Sequence, residues 1–549
     1  MKKIIYYILS VVFGLGLLTS CDLDPMPTDR YSDRVIWESP EKANLYLNGF
    51  YTYLNKYGRF GSDQTGTPGV FTDGLTYALK YANTVPAYGM PNDYAYFPDK
   101  ITSNQNSLDV WVAGYDRVRR MNEFIEGLYN YANFEAEVKN DFEGQIRFFR
   151  AYIYFQIMKR HNQFVILDKL TSEKNNSLGT TEECWQFIEA DLEFAVNNLP
   201  VTRPTADQGR ITKGAALAFL SRVALYAKHW EKAEKAAQEC ISLTDKNGNL
   251  VFELNNSYED SYKKTYMEGN KESIIDFTFV LPSIAHKMDV LLAPGGDEGN
   301  SLKVALAGPT QEMVELYELK TGGHPDWSKW HKTTSETPPY ADLEPRFHAS
   351  VLYNGATWKG RQIEAFIDGK DGFHNYGDFN ESNGHTVTGY FLKKALDENM
   401  AVISEQSTTP YIEIRLAEVY LNLAEAANKQ GHDDVANKAI QKIRSRVNLP
   451  WSNKSSSELE RAIRQERKVE LAFEEHMYWD LRRWELASKE LNDVRFHGLR
   501  ITKTGEQFTY EYVEVDDNDR FFPEVMNKTF PIPLAELNNN KAIQQLPGW

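Results

Sequence analysis

Acidic and histidine-bearing stretches are where this sequence could first be expected to do chemistry. Asp368, Asp371 and Asp378 lie in DGKDGFHNYGD. A calcium hand needs ligands at positions 1, 3 and 5 and a distal bidentate glutamate. This stretch supplies neither, so a turn with a solvated face is expected. His374 and His385 have no obvious third ligand and read as surface histidines. The Glu474-Glu475 pair sits in a helical pattern with Arg467, Arg482 and Arg483, which predicts helix ion pairs rather than catalysis. A glycosidase needs two carboxylates at a set separation across a sugar bond, and 77 Asp and Glu single out no such pair. There is no G-x-S-x-G, P-loop, H-E-x-x-H or paired C-x-x-C. The sequence therefore predicts no catalytic residues, no metal ligands and no cofactor.

The aromatic residues carry more information. They make up 13% of the chain, with 31 Tyr and 11 Trp. Tyr77, Tyr81, Tyr88, Tyr94 and Tyr96 crowd one Gly/Pro/Asn-punctuated loop, beside Phe71 and Asp73. Trp327, Trp330, Tyr340, Tyr353 and Trp358 form a second group. Neither group follows a period of 3.6 or 2, so both read as loop residues over a scaffold, where ligand contacts concentrate. Flat aromatic faces suit the apolar C–H faces of sugar rings, and neighbouring Asp, Asn and Arg can bond the hydroxyls. The competing expectation is that half or more of these rings merely pack loops onto the scaffold.

That scaffold is predicted to be helical, in two blocks. The first spans about 37–243, with helices over 40–56, 107–131, 134–160, 181–198 and 212–243. The second spans 410–491, with helices over 410–447 and 457–491. Between them, 244–409 is rich in Gly, Pro, Asn, Asp and aromatics and reads as a strand-poor insertion, and 492–549 follows as a C-terminal segment. Leu217, Leu220, Ser221, Ala224, Ala233, Ala237 and Cys240 fall at intervals of 3, 1, 3, 9, 4 and 3. Tyr420, Leu423, Ala424, Ala427, Ala436, Ile440 and Ile443 repeat those intervals without a gap. Small and apolar residues in that order let antiparallel helices close-pack, as in a tetratricopeptide repeat. Gly431 marks the turn. A lone pair cannot bury its face, so the two blocks should stack, with 244–409 displayed on them within a single domain over 37–549.

The N-terminus gives an address. Lys2 and Lys3, an apolar run from Ile4 to Leu18, and Leu18-Thr19-Ser20-Cys21 have the layout of a secretory signal. The apolar run is short for a membrane span. The placement of Cys21 resembles a bacterial lipobox, predicting a signal peptide over 1–20, acylation of Cys21 and a solvated tether over 21–36. Cys184 and Cys240 lie in helix-like segments and read as buried thiols at least as readily as a disulfide. A net charge of −16 argues against nucleic acid, which needs a basic face.

Together these features resemble the SusD/RagB family, surface nutrient-binding lipoproteins of Bacteroidetes. Asp22-Leu23-Asp24-Pro25 resembles the family start, and Arg415-Leu416-Ala417-Glu418-Val419-Tyr420-Leu421 with Ala424-Glu425-Ala426 resembles the helix before its last repeat. Ile443-Arg444-Ser445-Arg446-Val447, Glu466-Arg467, and Tyr478-Trp479-Asp480-Leu481-Arg482-Arg483-Trp484 continue the likeness, and Phe530-Pro531-Ile532-Pro533 and Gln545-Leu546-Pro547-Gly548-Trp549 resemble the ending. The resemblance implies a mostly α, tetratricopeptide-like fold, location on the outer-membrane surface, and delivery of a glycan to a SusC-like TonB-dependent transporter without chemistry. Loop contacts are expected from Asp73, Tyr77, Tyr81, Tyr94, Tyr96, Trp327 and Trp330. Three other readings stay open: a peptide-binding relative of the same fold, a surface glycosidase, and a scaffold without a small ligand.

Overall fold

A computed structural model describes residues 33–57, 72–82, 101–106, 108–299, 303, 305–375, 384–394, 396–400 and 406–549. Helices dominate. The longer ones are α1 (Pro40–Asn48), α2 (Trp111–Asn130), α3 (Ala136–His161), α4 (Thr181–Asn198), α5 (Lys213–Ala227), α6 (Trp230–Ile241), α7 (Leu416–Lys429), α8 (Asp433–Arg446), α9 (Ser456–Glu470) and α10 (Met477–Arg483). From α2 to α6 each packs on the next, and α6 packs on α7, so the N-terminal and C-terminal helical blocks stack directly. Every residue of the two matched interval sets is buried except Tyr420, which is half-buried.

The turn inside each pair is built the same way. Gly431 has φ +79° and Lys228, at the equivalent place, has φ +63°. The following residue closes both turns, with His229 N–H donating to Ala224 O and His432 N–H donating to Ala427 O. A left-handed residue is what this helix end requires, and glycine meets it without steric cost. The α4 start is fixed by a capping box between Thr180 and Glu183.

The strands of three or more residues are β1 (Leu79–Tyr81), β2 (Ser273–Phe277), β3 (Ala307–Pro309), β4 (Val351–Tyr353), β5 (Tyr390–Leu392), β6 (Tyr411–Arg415), β7 (His497–Thr504) and β8 (Gln507–Glu514). They pair antiparallel as β1–β3, β2–β6, β4–β5 and β7–β8. The second helical block therefore begins at Leu416 and not at Pro410. Tyr411–Arg415 is a strand because its alternating Ile412 and Ile414 pair with β2 across the chain. The block is also broken after Glu470, by turns over 471–475 in which Phe473 and Glu475 take positive φ.

The core has two large parts. One lies among the helices, and the other gathers residues of 75–81, Ile101, Leu108, the insertion, α10 and the C-terminal segment. A buried ionic network ties them. Arg415 spends all five of its N–H donors: two on Glu474, one on Glu272 Oε1 at 2.9 Å, one on Glu470 Oε1 at 2.7 Å and one on Glu470 O at 2.6 Å. Arg346 adds Glu344, Glu466 and Glu470, Arg446 adds Glu272 and Glu470, and Lys394 adds Glu474 at 2.6 Å. Glu474 thus pairs across the fold with Arg415 and Lys394, correcting the expected helix pairs. Arg467 and Arg483 turn instead to Asp480, and Arg482 caps the carbonyls of Met526 and Lys159. Cys184 and Cys240 are buried free thiols. Among the described residues no helix is long and apolar enough to cross a membrane.

Candidate ligand-binding face

The loop that carries the first aromatic group is anchored at its base by buried and part-buried polar contacts. Thr72 donates from N and Oγ1 to Glu475 Oε2 at 2.5 and 2.6 Å, and Asp73 Oδ2 accepts Glu475 N–H at 3.1 Å. Tyr77 Oη donates to Glu490 at 2.8 Å, Thr310 Oγ1 donates to Tyr77 O, and Lys80 Nζ meets Asp516 at 2.8 Å. β1 then pairs with β3, setting Lys80 opposite Gly308. Gly308 is required there, since a Cβ would come 2.5 Å from Tyr390 O.

The segment 286–306 collects the neighbouring loop ends. Ala82 N–H donates to Leu306 O, Leu306 N–H to Leu291 O and Gly295 N–H to Gly384 O, while His286 and Ser407 exchange two backbone bonds. Under this face lies a closed polar unit. Arg361 reaches Asp297 at 2.6 Å and both oxygens of Asp371 at 2.7 Å. Trp358 Nε1 donates to Asp297 at 3.0 Å, and Gly296 and Glu364 donate their N–H groups to Asp371. Both carboxylates are buried and taken up by the guanidinium and N–H donors, so Asp371 is a structural residue and not part of a solvated turn. His374 is also buried, against expectation, and His385 is half-buried with its ring over Gly372. Asp378 lies outside the described residues. Among the described residues no group of His, Cys, Asp and Glu is arranged to hold a metal ion.

The aromatic residues named from sequence separate into two kinds. Tyr94 and Tyr96, like Cys21, lie outside the described residues. Tyr77, Tyr81, Trp327 and Trp330 are core side chains, each less than one-tenth exposed, and Asp73 is buried with them. Tyr77 meets Phe496 edge-on at 6.0 Å, Tyr81 covers Gly74, and Trp327 meets Trp330 at 5.6 Å. Lack of a helical or strand period means only that this core is irregular, and the large rings fill it. Trp330 Nε1 donates to Glu336 O at 2.9 Å, whereas Trp327 Nε1 has no partner among the described residues. The first effect expected of Tyr81→Ala is consequently a loss of stability of about 3 kcal/mol, the order found for large-to-small aromatic changes in cores. Urea unfolding checks this, and an unchanged midpoint would remove Tyr81 from the core account.

Comparison with known proteins fits this architecture. A profile described as "SusD family" matches residues 249–549, more than half of the chain. The chain belongs to the SusD family. A second profile, described as "Starch-binding associating with outer membrane", matches 50–225, the N-terminal helical block. SusD-like protein P2 of Formosa agariphila is 23% identical over 505 residues, covering 89% of this chain and 92% of that protein. The crystal structure of a SusD-like protein from Bacteroides fragilis is 26% identical with a TM-score of 0.79, covering 94% of this chain and 99% of that one. A second structure from that organism, a SusD-like carbohydrate binding protein, is 22% identical with a TM-score of 0.75, covering 93% and 100%. The mostly helical, tetratricopeptide-like architecture is that of the SusD fold.

Proposed function

We propose that this SusD-family protein is a lipid-anchored, cell-surface glycan-binding protein that passes oligosaccharide to a SusC-like TonB-dependent outer-membrane transporter, with no bond made or broken. The observation that carries the reading is the family match over 249–549, on a fold shared end to end with a SusD-like carbohydrate binding protein. Tyr94 and Tyr96 are proposed as stacking residues. Trp327 and Trp330, both core side chains, are proposed to act indirectly, by packing the insertion beneath the ligand-binding loops. Asp73, Tyr77 and Tyr81 are proposed to act from below, by fixing the base of the loop that carries Tyr94 and Tyr96.

The test is calorimetry of the mature chain against polysaccharide fractions and peptide mixtures. Micromolar to millimolar binding of at least one glycan is expected, reduced tenfold or more by a Tyr94→Ala, Tyr96→Ala double substitution. Tight peptide binding with every glycan silent would overturn the reading. In cells, Cys21→Ala should leave that binding intact and reduce glycan uptake.

A further inference from the structure

A cavity far in sequence from the aromatic loops holds a carboxylate without a counter-ion. It lies between the α4–α5 connection, the stretch after α6 and strand β2, with a volume of about 240 Å³. Val251, Phe252, Ile274 and Ile275 supply apolar wall, and Tyr266 and Met267, 37% and 59% exposed, stand at its rim. That volume is below the roughly 300–1,000 Å³ of drug-sized sites, so it admits one side chain or a small amine and excludes an oligosaccharide.

The wall is built by two irregularities in the β2–β6 ladder. Ser273 pairs with Arg415 and Ile275 with Ile414, leaving Ile274 as an extra residue, and Asp276 then pairs with Ile412, leaving Glu413 extra. In a regular strand, consecutive side chains alternate between faces. Here Ile274, Ile275 and Asp276 all line the same cavity, as bulges that re-aim side chains allow.

Asp276 is the unusual member. Its Oδ2 accepts Tyr266 N–H at 3.0 Å and Ser273 Oγ–H at 2.6 Å, and among the described residues no bond falls on Oδ1 and no cation pairs with the group. Burial pushes its pKa above the ordinary carboxylate value, and nearby Glu268 adds to this. The two arginines of the lining do not compensate. Arg203 is taken bidentate by Asp141 at 2.7 and 2.9 Å, and Arg210 by Asp207 at 3.0 Å. Asp276 is half-buried, with one oxygen open to the cavity. An entering cation would pair with it in a partly desolvated setting, where an ion pair gains more than on an open surface, while an apolar stem filled the cavity.

We propose that this cavity binds a primary ammonium group carried on an apolar stem, with Asp276 as the counter-ion. The proposal does not depend on glycan binding, and Asp276→Asn should leave glycan titrations unchanged.

The test uses phenethylamine and its isostere 2-phenylethanol, and leucyl-glycyl-glycine with its N-acetyl form. Binding is read by calorimetry and by methyl NMR shifts of Val251, Ile274, Ile275 and Met267. The amine is expected to shift those methyls and to bind at least tenfold tighter than the alcohol. Asp276→Asn should weaken amine binding at least tenfold and leave the alcohol unaffected. The peptide arm decides the source. Binding by the free peptide and not by its acetylated form would assign the site to peptide N-termini, and amine binding alone would assign it to small amines. Met267→Lys, at an exposed rim position, offers an internal cation and should abolish amine binding in a folded protein. Absence of methyl shifts with either amine, or amine binding unchanged in Asp276→Asn or Met267→Lys, would overturn the proposal.

Discussion

Arg415→Leu is expected to destabilise this protein by roughly 3–5 kcal/mol, the range for breaking a buried ion pair by removing one partner. The substitution keeps the apolar stem and removes five hydrogen bonds at once. Glu272 and Glu470, both fully buried, and Glu474 would lose the cation that gathers them. Arg446 and Lys394 would remain, each on only part of the cluster. Because Arg415 ends β6 and starts α7, the loss should also loosen the join between insertion and helices. Guanidinium unfolding followed by tryptophan fluorescence measures the change. Lys42→Ala, at the exposed pair with Glu38, is the control and should move stability by less than about 1 kcal/mol. Equal effects at the two sites would show that the network is not what couples the two parts of the core.

What the sequence discloses follows the physics of each element. The repeat helices are legible because close packing of two helices demands small residues at fixed intervals, and Ala224, Ala233, Ala424 and Ala436 occupy them without a gap. The turn is legible at Gly431 and hidden at Lys228, where a long side chain adopts the same left-handed conformation. Tyr411–Arg415 carries a strand's alternation, but its partner β2 is well over a hundred residues away and nothing local signals the pairing. The β7–β8 hairpin does have a local signal, Gly505-Glu506 between β-branched and aromatic runs, with positive φ at the glycine. At the candidate face the residue types were readable and their burial was not. Tyr77, Tyr81, Trp327 and Trp330 look like loop aromatics because the core they fill has no period. Asp276 and the Arg361 unit carry no sequence signal, since what distinguishes them is which charges are paired in space.

Acid is expected to unfold the protein over a defined window, and the same paired charges set it. Arginines hold Glu470 and Glu418 at about 2, and Arg520 with Lys80 does the same for Asp516. Glu474, Glu425 and Asp480 are also depressed by their cationic partners. A carboxyl whose folded pKa lies below its unfolded value stabilises the fold above the unfolded value, about 4. That contribution is lost as pH falls from there toward the folded value. For Glu470 and Glu418, lowered from 4.5 to about 2, that linkage is worth on the order of 3 kcal/mol each. His476, held down to about 4 by burial, acts earlier in the same direction. Below about 6.5 the unfolded chain takes its proton and the folded chain does not. Glu344, Asp276 and Asp289, which burial pushes up, oppose the trend, because their folded forms bind protons more readily. The depressed groups outnumber them and include those at the centre of the network, so the balance favours loss. The melting temperature should therefore fall gently from pH 6.5 to 4.5 and steeply from 4.5 to 3. Melts at half-unit steps in constant ionic strength check this, and a midpoint unchanged between pH 5 and 3 would mean that the buried glutamates are not ionised in the native state.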